Sequence, residues 1–180
     1  MTKTSKPKDD SPAVEPTENF TELPADAGLR DLLIDGLKDI YWAENQLVKA
    51  LPVMEAACSN AALSSAIASH LEETTGHAAR LEQIFALLDE KTQAKKCDAM
   101  EGLTKEGEAV IEDTEPDSVA RDMGIIAASR KVEHYEIAAY LGLKSLAEKL
   151  GFTKVAALLA QTLAEEEAAD QNLSNIADSL

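Results

Sequence analysis

Two pairs of long helical stripes, each pair joined by about two residues, constrain this chain more than any other feature of it. From about Leu29, the residues Ile34, Leu37, Tyr41, Val48 and Leu51 recur at three- and four-residue steps, the face of a first helix. Pro52 falls inside the pattern and is expected to kink that helix, which continues to about Cys58. After a break at Ser59 and Asn60, a second helix is predicted from about Ala61 to Lys91, with Ile67, His77, Leu81, Ile84 and Leu88 on its stripe. Pro116, Asp117 and Ser118 open a third, which extends to about Leu150, and Gly151 suits a left-handed cap behind it. A fourth follows at once, from Thr153 to about Asp178, with Leu159, Leu163, Leu173 and Ile176 facing inward. No strand is predicted.

These loop lengths select the topology. Helices joined by about two residues must be antiparallel neighbours, so the chain forms two helical hairpins. Between them, residues 93–117 carry two glycines, a proline and many charges, with a weak helical pattern from Asp98 to Glu112. A connector of that length can run the height of a bundle whose helices of ~30 residues span ~45 Å. The expected fold is all-α: a ferritin-like four-helix bundle built of two hairpins with a long crossover carrying a short helix. An up-down bundle with a loose middle loop is the alternative. Hydrophobic residues at 45% with aromatics at only 4% suit packed helices better than a sheet. Residues 1–26 differ: four of the six prolines lie there among polar and charged residues, so a disordered tail is expected, with the bundle over 27–180.

Charge excludes some functions. Acidic residues outnumber basic ones 33 to 17, a net charge of -16, which repels nucleic acid and anionic membranes alike. No stretch approaches the ~20 apolar residues of a membrane span. The first ten residues, MTKTSKPKDD, lack the apolar run of a secretory signal, so a cytoplasmic location is expected. Cys58 and Cys97 fall near opposite ends of the predicted bundle, too far apart for a disulfide, as suits a reducing compartment.

Ionisable residues interrupt the apolar stripes. Glu44 follows Leu37 and Tyr41 on the first helix, and His70, Glu73 and His77 lie between Ile67 and Leu81 on the second. Glu133 and Glu136 share faces of the third helix with Ile126, Ile137, Val132 and Tyr140; Glu166 and Asp170 lie between Leu163 and Leu173 on the fourth. Converging buried carboxylates repel one another unless a cation compensates them. Each hairpin also repeats the same spacing. Glu73 and His77 lie 29 and 33 residues after Glu44, while Glu166 and Asp170 lie 30 and 34 after Glu136. Residues four apart share a helix face. The pattern approaches the di-iron carboxylate arrangement of one Glu from each of two helices and Glu-x-x-His from the others. It departs in a step of four rather than three and in Asp170 where His would stand. Glu44, Glu73, His77, Glu136, Glu166 and Asp170 are therefore the candidate ligands of two iron ions per chain, with manganese as the other metal. Glu133 and His70 are further candidates, His70 in a supporting role. Glu44 and Glu136 would be terminal or chelating, Glu73 and Glu166 bridging. Each of these could instead be a solvated or hydrogen-bonded side chain at a stripe edge, and His134 is expected to face away.

Four segments in order, LRDLLIDGLKDIY (29–41), HLEETTGHAARLEQ (70–83), VEHYEIAAY (132–140) and LAEEEAAD (163–170), resemble the bacterial YciF-type ferritin-like proteins over about residues 28–179. The resemblance implies a rubrerythrin-like bundle, a homodimer, a di-metal site and a role in stress response. With two cysteines, the chain carries no rubredoxin-like four-cysteine centre. The expected activity is ferroxidase or the reduction of O2 or peroxide. A metal-free or structurally metallated interaction module is the alternative, and a storage cage is a third option.

Overall fold

The computed structural model describes Met1 and residues 27–180, so the tail expected over residues 1–26 lies, Met1 apart, outside the described residues. Five helices follow in order: α1 (Ala27–Ala57), α2 (Ala61–Leu87), α3 (Asp98–Asp113), α4 (Val119–Lys149) and α5 (Thr153–Ala177). There is no strand among the described residues. α1 runs through Pro52 to Ala57. Asn60 starts α2 by accepting from the backbone N–H groups of Ala62 and Leu63 at 2.9 and 3.0 Å. Ser118 caps α4 by accepting from Arg121 N at 3.2 Å. Gly151, at φ +76°, makes the left-handed turn into α5 that a side chain would strain.

Contacts at the two ends fix the crossover. Glu90, just past α2, accepts from Arg30 of the first turn of α1 at 2.7 Å. Asp122, in the first turn of α4, binds the α1–α2 turn at the opposite end. The connector therefore travels the length of the bundle, and α3, 16 residues long and so ~24 Å, covers part of that distance against α1 and α4. α1 and α5 run one way, α2 and α4 the other. The crossover topology holds, and the up-down alternative does not. α2 ends at Leu87 rather than Lys91, because Asp89 turns the chain with φ +54° and Arg30 takes the Leu88 carbonyl at 3.1 Å. On α1, Leu47 is buried where the stripe predicted Val48, which is half-buried. The α3–α4 crossing is close: a Cβ on Gly124 would stand 2.6 Å from a Val110 methyl.

The core runs the length of the bundle, from Leu33, Leu37 and Phe85 near one end through Ile40, Leu47, Leu81 and Leu159 to Leu63 and Ile125 near the other. Both thiols are free, as expected: Cys58 lies just past α1, and Cys97 caps α3, its Sγ 2.9 Å from the Tyr135 hydroxyl. No helix among the described residues is long and apolar enough to cross a membrane.

Asp122 is a structural carboxylate that periodicity did not single out. It is 2% exposed, and it accepts from Ser59 N (2.9 Å), Ser59 Oγ (2.5 Å) and Asn60 N (3.0 Å). Removing it strands three donors at a buried turn. Asp122→Ala should cost about 2–4 kcal/mol and lower Tm by roughly 5–12 °C, measured by calorimetry.

Candidate metal centre

Midway along the bundle the apolar core gives way to six ionisable side chains, three from each hairpin. Glu44 comes from α1, His70 and His77 from α2, Glu133 and Glu136 from α4, and Glu166 from α5. All are buried, and Glu44, His77, Glu136 and Glu166 are fully so. Seven residues separate His70 from His77, close to two helical turns, so both rings face inward, their centroids 6.5 Å apart.

The ligand-type atoms fall into two groups, each lying within 4.8 Å: Glu44, His77 and Glu166; and His70, Glu133, Glu136 and Glu166. Glu166 belongs to both. Its Oε1 lies 3.0 Å from His77 Nδ1, and its Oε2 lies 4.0 Å from His70 Nε2. Glu44 Oε1 is 3.6 Å from His77 Nδ1, and Glu133 Oε1 is 3.4 Å from His70 Nε2. These approaches are too long or too misaligned for hydrogen bonds. Nine buried atoms of the six side chains have no hydrogen-bond partner, including both oxygens of Glu136 and of Glu166. Among the described residues the other such atom is Ser129 Oγ. A folded protein rarely leaves so many buried polar atoms unpaired in one place.

The surroundings orient this set. His77 turns Nε2 outward to Glu165 Oε2 at 3.0 Å, and Glu165 is held by Arg80 at 2.7 Å and Gln161 at 3.0 Å. With Nε2 bound to a carboxylate, Nδ1 is the nitrogen left facing the interior, the usual support of a metal-bound histidine. On the other side the buried Tyr140 hydroxyl donates a short hydrogen bond to Glu44 Oε1. Tyr140→Phe should therefore leave that oxygen without its donor and destabilise the metal-free protein by about 1–3 kcal/mol, read from the shift in its denaturation midpoint.

Burial and mutual repulsion hold protons on the cluster. Burial raises Glu133 to about 8. Glu136 is pushed well above the carboxylate range by burial and by Glu166, Glu44 and Glu133, and Glu44 rises chiefly through burial. Burial pulls the histidines down, but the carboxylates outweigh it: His70 rises to about 9, beside Glu73, Glu133 and Glu166, and His77 to about 10, beside Glu166 and Glu44.

The remaining candidates lie elsewhere. Glu73 sits at the rim with its side chain 44% exposed and Oε2 3.6 Å from His70 Nδ1. Asp170 is gripped by Arg130, Nε to Oδ1 at 2.7 Å and Nη2 to Oδ2 at 3.2 Å, with the exposed His134 3.4 Å away. Neither belongs to the two groups. Tyr140 shares a stripe with apolar residues and Glu165 lies in a run of three glutamates, so only the positions of the neighbouring helices reveal their contacts with Glu44 and His77.

Fold and site together define a helical bundle whose buried histidine–carboxylate cluster could hold cations. Residues 28–180 match the family DUF892, a domain of unknown function, and the chain belongs to that family. It is 48% identical to protein YciF of Escherichia coli (strain K12) over 150 residues, 83% of this chain and 90% of that one. The crystal structure of the E. coli stress protein YciF superposes with a TM-score of 0.79, covering 83% of this chain and 94% of that one. YcfI from Rhodopseudomonas palustris is 41% identical with a TM-score of 0.78, covering 81% of this chain and 92% of that one. A protein from Xanthomonas campestris pv. campestris, 21% identical over 85% of this chain and 92% of that one, shares the fold at a TM-score of 0.67.

Proposed function

We propose that the protein is a ferritin-like di-metal carboxylate protein, binding two iron ions per chain, or two manganese ions in their place. One observation carries this reading: nine unpartnered ligand atoms buried on six side chains contributed equally by both hairpins. Four carboxylates and two imidazoles, with no thiolate, suit hard or borderline divalent ions that accept oxygen and nitrogen donors together. Glu44 and His77 would hold one ion, His70, Glu133 and Glu136 the other, and Glu166 would serve both. Bound iron would supply redox chemistry toward O2 or peroxide, as in a ferroxidase or peroxide reductase. The chain's own residues prepare the place: Glu165 fixes the His77 ring, Tyr140 orients Glu44, and the apolar core closes the site above and below along the bundle axis. Likeness to the E. coli stress protein supports a stress-response role, and a homodimer in the cytoplasm completes the reading.

The test is an anaerobic Fe(II) titration of the whole chain, followed by an oxygen pulse, with metal counted by plasma emission. Two irons per chain and rapid growth of ferric charge-transfer absorbance are the expected result. No stoichiometric uptake of iron or manganese would refute the proposal and leave a metal-free interaction module as the better account.

A further inference from the structure

The bundle is open along one side, where a cavity of about 460 Å³ between α2 and α5 reaches the His70–Glu133 edge of the cluster. Small side chains make the gap: Ala66 and Ser69 on α2 face Ala164 and Ala168 on α5. Leu51, Ile67 and Leu173 give it apolar walls. Its inner end is polar. Ser129 and Glu133 of α4 line it, 6% and 2% exposed, and Ser129 Oγ and Glu133 Oε2 have no hydrogen-bond partner. The metal reading accounts for Glu133 but not for Ser129, since a neutral hydroxyl is a poor ligand beside carboxylates. An unpartnered buried hydroxyl is costly unless something binds it. The volume far exceeds what O2 or peroxide needs and falls in the range of small organic ligands.

We propose that this cavity binds a small, uncharged amphiphile: an apolar body, the size of a short alkyl chain or a two-ring aromatic, carrying one alcohol or phenol hydroxyl seated at Ser129 and Glu133. The inference deepens the di-metal reading, on which it rests for the identity of the cavity floor. Charge selects the head group. Glu133 in the floor and Glu73 and Glu165 at the rim repel an anion, while the walls of Leu51, Ile67 and Leu173 would strip an ammonium of its water. A hydroxyl meets both unpartnered atoms, donating to Glu133 Oε2 and accepting from Ser129 Oγ. The apolar walls take the rest of the molecule out of water.

The test is calorimetric titration of the full chain, metal-free and iron-loaded, with octanol, naphthol, octanoate and octylamine. Octanol and naphthol are expected to bind at least about tenfold more tightly than the two charged analogues. Ala168→Phe, at the exposed mouth of the cavity on α5, should fill it and weaken both by about tenfold or more while leaving metal loading and helicity intact. Ser129→Ala should weaken them by about three- to tenfold, with metal loading again unchanged. Absence of binding by any probe, binding indifferent to Ala168→Phe, or a preference for octanoate would overturn the proposal. So would sedimentation showing a dimer that Ala168→Phe splits, because a second copy would then cover the cavity. Naphthol binding that responds to Ala168→Phe in a chain that takes up no metal would defeat the di-metal reading and leave the cavity's ligand class standing. Full metal loading without probe binding would do the reverse.

Discussion

Glu166→Gln is expected to abolish loading of both metal ions while leaving the bundle folded. Glu166 is the side chain common to the two ligand groups, its two oxygens turned toward different histidines. Glutamine keeps the volume and removes the charge that each group relies on. Removing the carboxylate that faces both raised histidines should also cost the metal-free protein stability, lowering its Tm by about 2–8 °C. The parent should gain about 4 kcal/mol at a metal concentration a thousandfold above Kd, and the variant should gain nothing. Glu133→Gln, confined to one group, should lose about one ion of two. Asp170→Asn is the contrasting control: it breaks an Arg130 pair near the surface and should leave the metal count unchanged. Plasma emission and calorimetry on the four proteins decide the matter. Full loading of Glu166→Gln, with the parent's thermal gain, would show that no shared ligand exists.

Periodicity and loop length made the four long helices, the two hairpins and the helical crossover legible, because each depends on neighbours within one segment. The end of α2 escaped, since the left-handed turn at Asp89 leaves no mark in a hydrophobic pattern. At the site, the rule that a charge inside an apolar stripe faces the core led to Glu44, His77, Glu136 and Glu166, which do lie together. The rule that residues four apart share a face was too coarse. A four-residue step overshoots a turn by about 40°, whereas seven residues miss two turns by only ~20°. So His70 and His77 look inward together, while Glu73 swings to the rim and Asp170 toward Arg130. Contacts such as Tyr140 with Glu44, or Asp122 with Ser59, depend on the register between helices. No single helix encodes that register.

The metal-free protein should lose stability as pH rises from about 5.5 to 9, opposite to the usual behaviour of an acidic surface. Glu133 keeps its proton to about 8 in the fold, whereas an unfolded glutamate releases it near 4.3. Between those limits the native state binds more protons, so raising the pH costs up to about 1.4 kcal/mol per unit. His70, raised to about 9, adds stability that is complete below its unfolded value near 6.5 and lost as the pH climbs through 9. The upward shifts of Glu44, Glu136 and His77 have the same sign. Facing one another, these groups give up their protons as one cluster. Surface carboxylates such as Asp35, held down by Lys95, and Asp170, held down by Arg130, act below that window; their contribution is lost only as the pH falls toward 4 and lower. Tm of the metal-free chain should therefore drop by on the order of 10 °C between pH 5.5 and 9, and Glu133→Gln should flatten the slope. Two divalent cations would replace the protons. Loading should then release them, seen as a binding heat that varies with the ionisation enthalpy of the buffer, and should level the stability profile toward high pH. A Tm that rises across this range would mean that the cluster carries no extra protons in the fold, and the cations would have nothing to displace.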